Sequence, residues 1–181
     1  SYSAADYVIG KPSFNERDYE SEDPIWPYSI KLSEKGELLI SDTQFFRVLY
    51  WSNWKNALEK KAEIVFGQED LSKSGQNQFL LQPNKQCLNW VYDSCFYKNG
   101  VLINDTGNSR LLFFDHIPKN NNPEATLVIG RPDFNTSSEY SQTLMGTEKA
   151  IYWPFSIGIL GSKLVIADTG NHRIILTDLK F

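Results

Sequence analysis

Short apolar runs, separated by Gly, Pro, Asn and Ser, recur along the whole chain. In the first quarter they cover residues 7–9, 28–32, 38–42 and 47–51, and they are rich in β-branched and aromatic residues. Runs of this length and composition predict β-strands. No segment shows convincing helical periodicity, although residues 54–63 leave one or two helical turns open. The pattern therefore predicts an all-β chain.

One nine-residue motif appears three times at a fixed interval. It begins at Ile40, Ile103 and Ile166, and both intervals are 63 residues. Internal repeats of this length indicate stacked structural units. We therefore interpret residues 1–181 as a single domain with repeats at roughly 7–51, 64–115 and 127–179. The motif supplies the candidate structural residues Asp42, Arg47, Asp105, Asn108, Arg110, Asp168, Asn171 and Arg173.

Two further elements recur upstream of the motif. Residues 7–14 match residues 127–134, and residues 64–71 are a weaker middle copy. Trp26-Pro27 is echoed by Trp153-Pro154. Aligning Pro83 with these prolines in the middle repeat requires an insertion of about seven residues that carries Cys87.

Four strands per unit with a long fixed period predict the blades of a β-propeller. Each unit has an apolar face that it cannot bury alone. The chain opens with an isolated strand at residues 7–9, equivalent to the last strand of a blade, and closes with three strands that end near Leu179. We therefore expect three four-stranded blades per chain, which form half of a six-bladed ring. A homodimer would complete it, with residues 7–9 finishing the third blade of the other copy. The alternatives are that the chain is half of a longer propeller, or that it pairs with a second, similar propeller half.

The third copy of the motif, Val165 to Ile175, resembles the consensus of the NHL-repeat family of β-propellers. The second copy is close, whereas the first has Gln44-Phe45 where the family has Gly-Asn. The upstream Val-Ile-Gly-x-Pro-x-Phe element is similar to the extended bacterial version of the repeat. The resemblance implies the propeller fold. Together with the absence of an initial Met, it leads us to expect an extracytoplasmic or secreted protein.

The recurring Asp and Arg flank one turn, five residues apart. This spacing predicts that they brace the turn through charge-assisted hydrogen bonds. We expect Gly107 and Gly170 to adopt positive φ inside the turn. A catalytic role for these acids is disfavoured because a catalytic centre is rarely repeated three times.

Composition and charge exclude several classes of protein. Hydrophobic residues make up 41% and charged residues 22%, which is typical of a globular chain. The net charge of −4 argues against binding nucleic acid by bulk charge. No apolar run approaches the roughly 20 residues of a membrane span. Lys60 and Lys61 lie near Trp54, and this cluster leaves an RNA-binding NHL module as a third hypothesis.

The long loops between repeats are the expected recognition surface, because they share one rim with the repeated turns. A non-enzymatic module that binds a protein, peptide or glycan is therefore our first hypothesis. The binding-rim candidates are Phe45, Phe46, Trp90, Tyr152 and His172.

A channel-centred, metal-dependent lyase or lactonase is the alternative hypothesis. Asp93 aligns with Ile30 and Ile157 on the innermost strand and is the candidate metal ligand. No cofactor is expected, but a calcium ion held by oxygen ligands is left open. No common nucleophile, phosphate-loop or zinc motif is present in the sequence. Whether Cys87 and Cys95 form a disulfide also stays open.

Overall fold

The protein is an all-β chain, as the sequence predicts. The structure is a computed structural model that describes residues 3–17, 24–136 and 147–180. The described residues form three antiparallel sheets and contain no α-helix. The strands are β1 (Pro27–Leu32), β2 (Leu38–Asp42), β3 (Arg47–Trp51), β4 (Ile64–Phe66), β5 (Val91–Tyr97), β6 (Gly100–Asp105), β7 (Arg110–Phe114), β8 (Leu127–Ile129), β9 (Pro154–Leu160), β10 (Lys163–Asp168) and β11 (Arg173–Asp178).

The first and second sheets each have four strands, and the third has three. Their orders are β1-β2-β3-β4, β5-β6-β7-β8 and β9-β10-β11, so each sheet is a simple meander. In each sheet a single 3-10 turn joins the second strand to the third; these turns are Thr43–Phe45, Thr106–Asn108 and Thr169–Asn171. Two other short helical turns lie at Trp54–Leu58 and Gln76–Phe79.

Strand pairing repeats with the period of the sequence motif. Asp42 pairs with Arg47, and the residues 63 and 126 positions later pair in the same way. The alternation of side chains along a strand then places equivalent residues on equivalent faces. Residues that are 63 apart in the second and third strands therefore occupy the same position in their sheets.

Two buried layers hold the sheets face to face. The layer between the first and second sheets contains Leu39, Val48 and Tyr50, together with Val101 and Leu112. The layer between the second and third sheets contains Leu102, Leu111, Phe113, Leu164 and Ile166. Burial of these apolar side chains is the main force that packs one sheet against the next.

Residues 7–9 do not form a strand, which differs from the sequence-based expectation. Ile9 packs against an apolar cluster on the outer face of the first sheet, which includes Leu38, Leu49 and Trp51. Tyr7 contacts the ring of Trp54 edge-on, with 5.9 Å between ring centroids. Because this segment lies against a face and not along an edge, no backbone ladder forms within one chain.

The expected insertion in the middle repeat was wrong. Val91 pairs with Asp105 as Pro27 pairs with Asp42, so Val91 and not Pro83 begins this strand. Pro is tolerated at the first position of a strand but is not required there, and the alignment on proline was therefore misleading.

The register of Asp93 also needs correction. Asp93 pairs with Asn104, whereas Ser29 pairs with Ser41 and Ser156 pairs with Ala167. Asp93 therefore stands at the position of these two serines and not at that of Ile30 and Ile157.

Among the described residues, no helix has the length and apolar character needed to cross a membrane.

Candidate functional site

Each repeated Asp joins the start of its sheet to the turn. The carboxylate of Asp105 accepts a hydrogen bond from Arg110 Nε at 2.7 Å and another from the backbone N–H of Asn89 at 2.7 Å. The same two bonds occur in the other sheets, where Trp26 and Tyr152 are the backbone donors to Asp42 and Asp168. The predicted brace therefore exists in all three copies.

Each repeated Arg also holds the loop that precedes its sheet. Arg47 donates from Nη2 to the carbonyl of Pro24 at 2.9 Å. Arg110 makes the equivalent bond to Cys87 at 3.0 Å, and Arg173 makes it to Ala150 at 2.9 Å. The three acceptors are again 63 residues apart. A planar guanidinium with several fixed donors suits this junction between a strand, a turn and a loop.

The Asn of the motif completes the brace in two copies. Asn108 Nδ2 donates to Asp105 at 2.8 Å, and Asn171 Nδ2 donates to Asp168 at 2.9 Å. The first copy has Phe45 at this position. Its ring lies 4.8 Å from the guanidinium carbon of Arg47, so a cation–π contact takes the place of the amide.

Glycine is needed at these turn positions because a neighbouring loop residue approaches its Cα closely, and not because the residue has a positive φ. The positive φ angles fall two residues later, at Phe46 (52°), Ser109 (53°) and His172 (54°). A Cβ on Gly107 would come within 2.8 Å of the carbonyl oxygen of Asn89. The expectation of positive φ at Gly107 and Gly170 was therefore wrong.

Burial separates the third brace from the first two. The side chains of Arg47 and Arg110 are buried, but that of Arg173 is 34% exposed. Burial raises the pKa of the Asp42 and Asp105 carboxyls, and the facing guanidinium opposes this rise. In both buried pairs each carboxylate oxygen accepts at least one hydrogen bond and the guanidinium balances the charge, which is the arrangement of a structural ion pair.

Two aromatic pairs lie beside the turns. Phe46 meets Trp90 edge-on, with 5.1 Å between ring centroids. Tyr152 stacks on Trp153 at 5.1 Å and an interplanar angle of 17°. His172 is exposed at the third turn. The structure therefore pairs Phe46 with Trp90, whereas Tyr152 stands beside a second tryptophan.

A more exposed apolar segment lies in the loop between the first two sheets. Phe79 is 84% exposed and Leu81 is 91% exposed, with Leu80 between them. The binding-rim candidates predicted from the sequence include none of these three residues. Three consecutive apolar residues in a polar loop are the signal that could have identified them.

Asp93 connects the three sheets. Its Oδ1 lies 3.1 Å from Nζ of Lys31 on the first sheet. Its Oδ2 accepts hydrogen bonds from the Ser156 hydroxyl at 2.9 Å and from the backbone N–H of Ile157 at 3.0 Å on the third sheet. Both oxygens thus have donors, and Lys31 already balances the charge. A cation would have to displace this lysine.

A buried arginine follows the last strand of the second sheet. Arg131 is nearly inaccessible, and its Nε has no hydrogen-bond partner in the part of the chain that the structure describes. Its Nη1 donates to the neighbouring Gly130 carbonyl at 3.0 Å. Burial lowers the pKa of Arg131. No pattern in the sequence singles out this residue, since its equivalents are Lys11 and Gln68.

The two cysteines are free thiols. Cys87 and Cys95 are both buried, and only Cys95 lies in the layer between the second and third sheets. Burial raises the pKa of both thiols, and that of Cys95 reaches about 12. A thiol with such a pKa is a poor nucleophile at neutral pH.

No family model matches the chain, and no curated protein matches it either. Within the described residues, there is no group of three or more His, Cys, Asp or Glu side chains that could hold a metal ion.

Proposed function

We propose that the three sheets are consecutive blades of a β-propeller of the NHL-repeat type. The same meander in each sheet, and face-to-face packing between neighbours, support this proposal. Ring contacts between the first strands add to it: Tyr92 lies 4.6 Å from Tyr28 and 4.6 Å from Phe155, between centroids. In a propeller the first strands are the innermost ones, and adjacent blades bring them together.

We further propose that the chain is a non-enzymatic binding module. Its ligand is a protein, peptide or glycan, and the apolar segment Phe79–Leu81 favours a protein or peptide. This segment is the observation that carries the proposal. Contiguous exposed apolar residues on a folded chain are typical of interaction sites.

The segment is held in place, although it is exposed. Asn77 donates its backbone N–H to the Leu88 carbonyl at 3.0 Å, and its side chain bonds Asn108 beside the second turn. Gln78 Nε2 donates to the Asn122 side chain at 2.7 Å. Asn77, Gln78 and Phe79 all have positive φ. A fixed apolar surface binds a partner with less loss of conformational entropy than a mobile one.

Peptide display on the purified chain tests this function. Random twelve-residue peptides are selected on the wild-type protein, and binders are measured by isothermal titration. We expect peptides rich in aromatic or aliphatic residues, with affinity reduced at least tenfold by the double substitution Phe79→Ser and Leu81→Ser. Removal of two exposed anchors from an interface has effects of this size.

Two controls make the result specific. Leu160→Ser removes another exposed apolar side chain, on the third sheet, and it should leave peptide affinity unchanged. Circular dichroism should be the same for all three proteins. If no peptide is enriched, or if the loop variant binds as well as wild type, the proposed function is wrong.

A further inference from the structure

The third sheet has an open apolar face. Leu160, Ile174 and Leu176 are 69%, 62% and 59% exposed. Leu111 and Phe113, which are 63 residues before Ile174 and Leu176, are buried between the second and third sheets. The third sheet thus presents the surface that the second sheet uses to bind its neighbour.

The third sheet also lacks a strand that the other two have. β3 pairs with β4 and β7 pairs with β8, whereas β11 has no partner on its outer side among the described residues. The bare edge belongs to the same strand that carries Ile174 and Leu176. An open edge beside an exposed apolar face is a surface suited to strand addition.

The element that would complete the third sheet is present at the other end of the chain. Gly10 has a φ of 87°, and Gly67 and Gly130 each have 88°. A Cβ on Gly10 would clash with Ile25, as one on Gly130 would clash with Ile151. Residues 7–10 therefore have the local geometry that follows β4 and β8, but no sheet of their own.

Among the described residues, the third arginine also lacks a hydrogen bond that the other two arginines make. Arg47 donates from Nη1 to the carbonyl of Leu71 at 2.6 Å, and Arg110 donates from Nη1 to that of Phe134. Arg173 makes no such bond to any described residue of this chain. In the aligned upstream elements, the residue equivalent to Leu71 and Phe134 is Phe14, which is exposed.

The first sheet carries a cleft that matches the exposed apolar face of the third sheet. A cleft of about 470 Å³ lies between residues 9–12 and residues 57–62, and its walls include Leu49 and Trp51. Their equivalents, Leu112 and Phe114, share a buried cluster with Tyr50. Leu176 is the third-sheet equivalent of Tyr50, so a third sheet placed here would direct this leucine towards the cleft.

We propose that these two ends are the halves of one interface, and that a second copy of this chain occupies it. Residues 7–9 of each copy pair with β11 of the other: Ile9 opposite Ile174, Val8 opposite Ile175, and Tyr7 opposite Leu176. This register copies the β3–β4 and β7–β8 pairings. Arg173 Nη1 then donates to the Phe14 carbonyl of the second copy.

A second copy fits because every chain has both the open sheet and the unused segment. Two head-to-tail contacts between two chains close a ring and leave neither end exposed. The proposal rests on the propeller assignment in Proposed function. It does not depend on the peptide-binding loop, because Phe79–Leu81 is remote in sequence from both surfaces.

Disulfide trapping tests the register. Tyr7 and Leu176 are both exposed, so Tyr7→Cys with Leu176→Cys should fold normally. Directly opposite residues on antiparallel strands have Cα atoms about 4.5–5.5 Å apart, which a disulfide can span. Mild oxidation should give a covalent dimer of twice the 20.8 kDa chain mass on a non-reducing gel. In the matched control, Tyr7→Cys with Asp178→Cys, the second cysteine is shifted by two residues. This control should give little covalent dimer.

A second variant separates failure to trap from failure to associate. Leu176→Arg places a charge on the exposed face, and it should give a folded chain that sediments at half the mass of wild type. A wild-type chain of single mass, or a disulfide formed within one chain, would overturn the inference. Peptide binding by such a single chain would leave the proposed function standing.

Discussion

The second and third sheets carry the same motif in different surroundings. Asp105 and Arg110 are fully buried, and Arg110 bonds loops on both sides. Arg173 is partly exposed and makes one loop bond fewer to the described residues. The Nε–Oδ2 distance is nevertheless 2.7 Å in both. The motif therefore specifies the turn locally, and the neighbouring sheet supplies the burial.

The largest loss of stability, and a clear difference between the two sheets, is expected when Arg110 and Arg173 are substituted. Both substitutions should be made together with Leu176→Arg, so that the chains are compared as monomers. Arg110→Ala leaves Asp105 buried without its charge partner and should cost about 3–5 kcal/mol of unfolding free energy in urea. Arg173→Ala should cost less, about 1–2 kcal/mol, because Asp168 is buried but water can replace the partly exposed guanidinium.

An exposed ion pair on the same sheet provides the control. Lys163 bonds Asp178 at 2.8 Å, and Lys163→Ala should change stability by about 0.5 kcal/mol or less. Equal losses for Arg110→Ala and Arg173→Ala would contradict the idea that the neighbouring sheet decides the effect.

A smaller contrast is expected at the apolar face. Leu111→Ala creates a cavity between two sheets and should cost about 2–5 kcal/mol. Ile174→Ala, at the equivalent position, should change the stability of the monomeric Leu176→Arg chain by about 0.5 kcal/mol. In a chain with native Leu176, the same Ile174→Ala change should instead weaken self-association, measured as a concentration-dependent unfolding midpoint. A large loss in the monomer would show that Ile174 is buried by its own chain.

The smallest change to the structure compares the reactivity of two thiols at equivalent positions of the second and third sheets. Cys95 is buried and its pKa is raised to about 12, whereas Gly158, 63 residues later, faces open space. In the monomeric Leu176→Arg background, Gly158→Cys should be alkylated by iodoacetamide at pH 8 within minutes, and Cys95 should not react. Mass mapping after digestion identifies the modified residue. Alkylation of Cys95 in the folded chain would show that the layer between the sheets opens easily.

The repeat made much of the fold predictable. An interval of 63 residues between Asp42, Asp105 and Asp168 fixed which residues face each other across each turn. The Asp–Arg brace followed because five residues is the span of one short turn. These are local relations, and periodicity in the sequence reports local relations well.

Contacts that depend on packing between sheets could not be predicted in the same way. The Lys31–Asp93 ion pair joins two sheets, and nothing in the sequence sets the distance between them. The first strand of the second sheet begins with Val91, which has no distinctive residue to align. Phe45 replaces the motif Asn by a ring–guanidinium contact, which a search for identical residues does not detect.

The loop that carries Phe79–Leu81 was predictable only in outline. Its length indicated recognition, but the exposure of Leu81 depends on how the Asn77 and Gln78 contacts turn the backbone. Arg131 became visible only once its surroundings were known. Both cases reflect tertiary contacts that override local sequence preference.

Sedimentation equilibrium of the purified wild-type chain measures whether two copies associate through the open third sheet and residues 7–9. We expect a species of twice the 20.8 kDa chain mass at micromolar concentration. Leu176→Arg should reduce it to the single mass while the circular dichroism spectrum stays unchanged. A wild-type protein that remains at the single mass over the whole accessible concentration range would contradict this expectation.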